Sequence, residues 1–401
     1  MTLPFPSRII LKPSLVSMAA VCVSFVAWLF PSFDILRKGF EHPATVTLDA
    51  VVVLACWYLL IFLSFSIGEK VGNLWRLRSV ASENTVFELH SNFLYYTFTL
   101  LATIGTADTL VRIFRLMSVQ QAIIFISLGQ ANSLKDALYE DYRIGFASLR
   151  YLVLYSAAMA LYRMIRLKSR APINMLNLLL LSISTFVFGS RLIFMATLLT
   201  VVLLLTFNRK TIRISISKTI IFFTVLFLLL SVVNYVRNKN YYESNRLPFA
   251  TAGVSEILAY LGSPFQAQIG SAPVIDQLVA GGDQTYRNFV DEEINLNTNS
   301  AFVHLHEQFG FGSWIYILLV CLCMGVIFQI LLSLGKTIML LPAGAILYAS
   351  AELWRLDLFH QGIFIVWFVM GIGLPLLAIA TTRVFEFIVG RTVSQRELNQ
   401  H

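Results

Sequence analysis

The stretch PINMLNLLLLSISTFVFGSRLIFMATLLTVVLLLTF, residues 172–207, is predominantly apolar, and its single charged residue is Arg191. A helix needs about 20 mostly apolar residues to cross a membrane. The stretch is therefore long enough for two short spans that meet at Gly189-Ser190-Arg191. We interpret it as a helical hairpin with its turn at these three residues, and a single bent helix is the alternative.

The composition of the whole chain agrees with this membrane interpretation. Hydrophobic residues make up 57% of the sequence and charged residues 13%, whereas soluble proteins carry about 25% charged residues. The chain is expected to be an all-α integral membrane protein, a single polytopic domain over residues 1–401 with about ten transmembrane helices. The predicted spans are 14–33, 48–68, 93–112, 146–165, 172–188, 192–207, 219–236, 313–335, 337–351 and 362–382.

The orientation follows from the lysine and arginine residues in the short loops. With both termini in the cytoplasm, that face carries 17 of the 30 basic residues and only five of the 22 acidic ones. Basic residues in this distribution serve as anchors against anionic lipid. The net charge of +8 is therefore no indication of nucleic-acid binding.

The polar residues predicted outside lie in three regions. Residues 113–145 have the amphipathic pattern of a helix in the membrane interface. Residues 237–312 are too long for a simple connection and are expected to form a large, partly helical loop, with a helix over 253–268. The third region is the short turn 352–361.

The sequence contains no Walker A, HExxH, CxxC, Asp-x-Asp or GxSxG motif. It therefore predicts neither ATP hydrolysis nor a metal, and no cofactor. The predicted outer face is instead rich in arginine, whose planar and permanently charged guanidinium suits phosphate. Each of these arginines could also be a solvated or membrane-anchoring residue. The five candidates are Arg191, Arg237, Arg246, Arg287 and Arg355.

Two histidine-containing segments accompany these arginines. His304, His306 and Glu307 precede the eighth span, and a histidine there could act as a general base or simply contact headgroups. Arg355, Asp357 and His360 lie in the last outer turn, where an Arg–Asp ion pair that closes the bundle is the structural alternative.

The order and spacing of several short motifs resemble the O-antigen polymerase (Wzy-type) family of bacterial surface polysaccharide assembly. The resemblance covers most of the chain, and the histidine pair at 304 and 306 is not part of the family pattern. The motifs are Gly189-Ser190-Arg191, Asn234-Tyr235-Val236-Arg237, Ile257-Leu258-Ala259-Tyr260-Leu261-Gly262-Ser263-Pro264, Asn297-Thr298-Asn299-Ser300-Ala301-Phe302 and Phe309-Gly310-Phe311-Gly312.

The resemblance implies a metal-independent glycosyltransferase of the GT-C type in the bacterial inner membrane, with a periplasmic loop over 237–312. It would transfer a growing glycan from undecaprenyl pyrophosphate to another lipid-linked repeat unit, and a chain-length regulator is a possible partner. Arg191, Arg287, His304, His306 and Glu307 are the expected catalytic residues. The expected substrate-binding residues are Gly189, Ser190, Arg237, Arg246, Arg355, Asp357 and His360.

Two other functions are compatible with the same pattern. An O-antigen ligase would move finished glycan onto the lipid A core, and the sequence separates it poorly from a polymerase. A transporter or flippase of lipid-linked sugars is the second, although the sequence has no internal repeat of the kind that transporters use.

Overall fold

The computed structural model describes most of the chain. The described residues are 2–6, 11–29, 40, 42–74, 84–116, 145–188, 190–207, 211–215, 239–244, 249–278, 286–290, 300–334 and 337–398, with the separate positions 118, 120, 217, 220, 221, 224, 225, 227, 228, 231, 232, 235 and 246.

Twelve α-helices follow one another in these residues: α1 Pro13–Trp28, α2 Leu48–Leu74, α3 Asn84–Leu116, α4 Val153–Arg166, α5 Pro172–Ser182, α6 Arg191–Thr206, α7 Lys239–Ser244, α8 Phe249–Ser271, α9 Ala301–Phe309, α10 Gly312–Ser333, α11 Leu340–Glu352 and α12 Gly362–Leu398. Short 3₁₀ segments lie at Phe146–Leu152, Ala272–Gln277, Tyr286–Asn288 and Thr337–Met339, and a π-helix lies at Ile183–Val187. Strands β1 Thr2–Pro6 and β2 Thr211–Ser215 pair antiparallel, with Thr2 opposite Ser215.

The structure confirms the helical, membrane-associated character predicted from the sequence. Among the described residues, α2, α10 and residues Ser91–Arg115 of α3 are long and apolar enough to cross a membrane. Large apolar side chains on these helices remain exposed, for example Leu59 at 56% and Ile315 at 66%, as expected of helices that face lipid. Five further apolar helices are shorter. The predicted span 219–236 is described only at nine separate positions, and most of the amphipathic segment 113–145 lies outside the described residues.

The interruption at residues 189–191 is present in the structure. α5 continues into the π-helix, the helical pattern stops at Phe188, and α6 begins at Arg191. The backbone N–H of Ser190 donates to the carbonyl of Ser184 at 3.0 Å. α5 and α6 both pack against α4. A continuous helix over 172–207 is therefore excluded, and Gly189 itself lies outside the described residues.

Glycine residues allow α2 and α10 to approach at backbone distance. A Cβ added at Gly68 would lie 2.2 Å from the carbonyl oxygen of Leu322, and one added at Gly325 would lie 2.8 Å from that of Phe65. Small residues at helix interfaces allow this close packing inside membranes, where no hydrophobic effect drives the helices together. The pair α2–α10 therefore forms a tightly packed unit of the bundle.

Within the segment predicted as a large outer loop, one helix packs into the helical bundle. The helix expected over 253–268 is present as α8, which packs against α1 and α2. Its buried residues include Gln266 and Gln268, at 0% and 1% exposure. The sequence indicated a helix there but not its burial, because these polar side chains are buried only through partners that lie far away in the chain.

Polar residues gather at the two ends of α6. Arg191 at its start lies near Tyr260 and Arg355, whereas Thr206 at its end shares a cavity with Lys12 and Glu69. Sixteen helical residues span about 24 Å, most of the roughly 30 Å thickness of the hydrocarbon layer. Arg191, Tyr260 and Arg355 come from segments that the sequence predicts on the outer face, and Lys12 and Glu69 from segments that it predicts on the cytoplasmic face.

We expect Gly68→Ala to destabilise the protein, because the added methyl group meets the backbone of α10. Overpacking of this kind costs about 1–3 kcal/mol, so the thermal unfolding midpoint in detergent should fall. Gly373→Ala is the matched control, since nothing lies within 4 Å of a Cβ at that position. An equal fall in both variants would contradict the packing described for α2 and α10.

Candidate functional site

Two arginine side chains contact the ring of Tyr260. The guanidinium carbon of Arg355 lies 4.6 Å from the ring centroid, and that of Arg191 lies 5.7 Å from it. Arg191 is the first residue of α6, Tyr260 lies within α8, and Arg355 follows α11. Three distant parts of the sequence thus meet at one aromatic ring, which stabilises both cations through its quadrupole. We call these three residues, with Glu352, the arginine cluster.

Glu352 keeps the charge of Arg355 in place. Its Oε2 atom lies 2.5 Å from Nε of Arg355, and the two side chains are only 12% and 14% exposed. Burial disfavours a charged guanidinium, but Glu352, together with Tyr260 and Tyr348, outweighs burial and raises the pKa of Arg355. The Arg–Asp pair considered from the sequence as a structural alternative differs from the pair found, because Arg355 forms its ion pair with Glu352.

Two buried glutamines hold α8, and with it Tyr260, in position. Gln268 donates from Nε2 to the carbonyl of Trp354 at 2.6 Å and accepts a hydrogen bond from the hydroxyl of Tyr58. Gln266 accepts from Nε1 of Trp28 at 2.7 Å and donates to the carbonyl of His42 at 2.8 Å. Buried amides with satisfied partners specify a unique arrangement. The glutamine network therefore fixes Tyr260 relative to the turn that carries Arg355.

The start of α6 adds a partial positive charge to the arginine cluster. The first backbone N–H groups of a helix have no partner within the helix and favour an anion. Ser190 occupies the capping position and makes no side-chain capping bond to these groups. An anion near Arg191 would therefore meet a helix N-terminus as well as two guanidinium groups.

A second constellation is centred on Asp357 and His360, two and five residues beyond Arg355 in the same turn. Nδ1 of His360 lies 3.2 Å from Oδ2 of Asp357, and Asp357 also accepts from the hydroxyl of Tyr316 at 2.8 Å. Asp357 is fully buried. The ring of His304 stacks 6.3 Å from that of His360. We call His360, Asp357, Tyr316 and His304 the histidine cluster.

The geometry defines which nitrogen of His360 can take a proton. Asp357 accepts from Nδ1, so Nε2 remains the proton-accepting nitrogen. The hydrogen bond to Asp357 raises the pKa of His360, burial opposes the rise, and the charge of Asp357 adds to it. The side chain is 38% exposed. His360 is therefore an accessible imidazole made more basic by an ordered carboxylate.

His306 occupies a different environment from its neighbour His304. It is 1% exposed, its Nδ1 donates to the carbonyl of Phe302 at 2.8 Å, and its Nε2 lies 3.1 Å from the hydroxyl of Ser313. Its ring packs against Trp57 with the centroids 5.2 Å apart. Burial lowers the pKa of His306. The structure thus gives His306 the contacts of a core residue.

The other predicted site residues are distributed as follows. Arg287 donates from Nε to the hydroxyl of Tyr286 at 3.3 Å, and the backbone N–H of Tyr286 donates to Glu307 at 3.1 Å. Arg246 is exposed and has a positive φ of 53°. Arg237, like Gly189, lies outside the described residues. The structure therefore brings together Arg191 with Arg355, and His304 with Asp357 and His360.

Sequence reasoning did not select Tyr260, Glu352, Gln266 or Gln268 as site residues. Two signals could have found part of this set. Glu352 precedes Arg355 by three residues, the spacing at which helical side chains pair. Tyr260 lies inside the segment 257–264, one of those that carry the family resemblance. The two glutamines carry no local signal, since their partners are far away in sequence.

No family model, curated protein or solved structure matches this chain. Within the part of the chain that the structure describes, no group of three or more histidine, cysteine, aspartate or glutamate side chains is placed to hold a metal ion. The chemistry open to the described site is binding of an anion by the arginine cluster and proton transfer at the histidine cluster.

We expect His306→Ala to lower the stability of the protein and His304→Ala to leave it nearly unchanged. The first change removes the buried hydrogen bonds of the imidazole to the carbonyl of Phe302 and the hydroxyl of Ser313, at a cost of about 1–3 kcal/mol. Thermal unfolding in detergent, followed by tryptophan fluorescence, would measure both. A similar midpoint for the two variants would show that His306 is not the packing residue described here.

Proposed function

We propose that the protein polymerises lipid-linked oligosaccharide repeat units at the outer face of the membrane. The observation that supports this best is the meeting of Arg191 and Arg355 at Tyr260, beside the start of α6. A lipid diphosphate is the anion that a membrane enzyme would hold at headgroup level. Guanidinium groups can bind it through paired hydrogen bonds without a metal.

The donor in this proposal is a glycan on undecaprenyl pyrophosphate. The hydroxyl oxygen of the acceptor sugar attacks the anomeric carbon of the donor and forms the new glycosidic bond. The bond from that carbon to the pyrophosphate oxygen breaks, and its electron pair leaves with the diphosphate. The arginine cluster and the N-terminus of α6 stabilise the negative charge that develops there.

The proton of the attacking hydroxyl goes to a base. The geometry favours His360, because Asp357 orients its ring and leaves Nε2 to accept. His304 lies beside it and can help to bind the acceptor sugar. The burial of His306 argues against the role proposed for it from the sequence. Glu307 and Arg287 lie with Tyr286 and are proposed to contact the glycan.

The architecture that goes with this function is a GT-C-like bundle of about ten spans in the bacterial inner membrane, with both termini cytoplasmic. The grouping of polar residues at the two ends of α6 supports such an arrangement. The apolar helices would hold the polyprenyl chain, and residues 237–312 would face the periplasm. A chain-length regulator remains a candidate partner.

We expect Arg191→Ala and Arg355→Ala to abolish elongation, with a loss of about 10²–10³-fold in rate for each. Arg287→Ala should also prevent the formation of long chains. The measurement is the ladder of products that the purified protein forms from a lipid-linked repeat unit in detergent. Arg191→Lys and Arg355→Lys keep the charge but lose the planar guanidinium. Both variants should therefore remain folded but elongate the glycan slowly.

Arg112→Ala is the matched control for these arginine variants. Arg112 also lies toward the predicted outer face, and its partner is Asp108 at 3.0 Å, away from Tyr260. It should retain the wild-type ladder. Wild-type ladders from both Arg191→Ala and Arg355→Ala would overturn the proposed function. Transfer of finished polymer to lipid A core without elongation would identify a ligase, and movement of lipid-linked sugar without a new bond would identify a transporter.

The pH dependence of elongation tests the base. His360 accepts a proton only when neutral, so the rate should rise as the pH increases through its pKa. Asp357 raises that pKa, so Asp357→Asn should move the rise of the elongation rate to lower pH and slow the reaction. Measurement of the rate from pH 5 to 9 would show this. If the variant is slower but its rate rises over the same pH range as that of the wild type, Asp357 has a purely structural role and His360 is excluded as the base.

A further inference from the structure

A cavity of about 470 Å³ lies at the end of the bundle opposite the arginine cluster. Four helices form it, because it lies where α1 begins and where α2, α6 and α10 end. Its size is in the range of small-molecule sites. Nothing in the proposed glycosyl transfer uses it, since its walls meet the far end of α6.

The wall that α2 contributes changes from apolar to charged along one face of the helix. Phe62 and Ser66 line its inner part, and Glu69, Lys70 and Asn73 line its outer part. The distance from Phe62 to Asn73 is about 16 Å along the helix axis. Such a gradient matches an amphiphile that lies parallel to the helix, with its apolar part inward and its polar part at the membrane surface.

The charges at the cavity leave it net positive. Glu69 is 7% exposed and already accepts from the backbone N–H of Ser14 at 3.1 Å, at the start of α1. Nζ of Lys12 lies 3.9 Å from the same carboxylate. Lys70 is exposed and carries a further positive charge. With Glu69 held by the N-terminus of α1, Lys12 and Lys70 can both face an anion.

The neutral polar residues of the cavity indicate that the bound anion also carries hydroxyl groups. Amide and hydroxyl groups come from Asn73 on α2, from Gln329 and Ser333 on α10 and from Thr206 on α6. These groups can donate to and accept from hydroxyl groups. The apolar walls, from side chains such as Leu15 and Leu332, suit hydrocarbon rather than a fully soluble ligand.

We propose that this cavity is a binding site for an anionic glycerophospholipid with a hydroxylated headgroup, such as phosphatidylglycerol. Its phosphate contacts Lys12 and Lys70, its glycerol hydroxyl groups contact Asn73, Gln329 and Ser333, and the start of an acyl chain lies against the apolar wall. Basic pockets between membrane helices are known to take anionic headgroups. The site is separate from the proposed transfer reaction and does not depend on it.

Native mass spectrometry of the full-length protein in detergent tests this site. The probes are phosphatidylglycerol and phosphatidylethanolamine with the same acyl chains. We expect phosphatidylglycerol to be retained preferentially, and Lys12→Gln with Lys70→Gln to reduce its retention about tenfold or more. The matched control is Lys168→Gln with Arg170→Gln, which removes the same charge from two exposed residues of the loop between α4 and α5 and should leave retention unchanged.

A second variant tests the cavity without changing its charge. Ser333→Trp places a large ring in the cavity and should also reduce retention of phosphatidylglycerol, while the unfolding midpoint without added lipid shows that the variant is folded. Equal retention of the two lipids, or an equal loss in the control pair, would overturn the proposal. Displacement of phosphatidylglycerol by millimolar glycerol phosphate or inorganic phosphate would assign the site to a soluble ligand and overturn it too.

Discussion

The site depends on one aromatic ring that carries two like charges. Guanidinium groups at Arg191 and Arg355 repel each other, and their positions at Tyr260 are stable only because other groups compensate. Glu352 neutralises one of them at 2.5 Å, and the ring attracts both. The four residues of the arginine cluster contain two guanidinium groups and only one carboxylate, so the cluster is suited to bind an anion.

That arrangement requires a helix with buried polar side chains. α8 carries Tyr260, and the glutamine network of Gln266 and Gln268 holds it among apolar neighbours. Burying an amide without partners would cost several kcal/mol, so each amide must meet its donors and acceptors at once. The bundle around α8 therefore has little freedom in the relative placement of α1, α2 and the turn after α11.

The sequence was informative about what depends on local pattern. Apolar length predicted the helices, and the single charged residue in 172–207 predicted the interruption at Arg191, because a charge within hydrocarbon is costly. The turn 352–361 was selected from its charged residues. The burial of α8 could not be predicted in this way, because Gln268 finds its partners far away in the sequence. Tyr58 lies 210 residues from it and Trp354 lies 86 residues from it. His304 and His306 look alike in sequence, and the burial of His306 against Trp57, with its hydrogen bonds to Phe302 and Ser313, separates their roles.

The backbone contact between α2 and α10 limits where lipid chains can enter the helical bundle. A Cβ at Gly68 would already overlap the carbonyl of Leu322, so no isoprenoid or acyl chain can pass between these two helices. In the proposed reaction, a carrier that diffuses within the leaflet must approach Tyr260 along another seam of the bundle. A Cβ at Gly72 would likewise lie 2.6 Å from the carbonyl oxygen of Val326. Gly68, Gly72 and Gly325 thus restrict the routes of entry for hydrocarbon while they contribute no chemistry of their own.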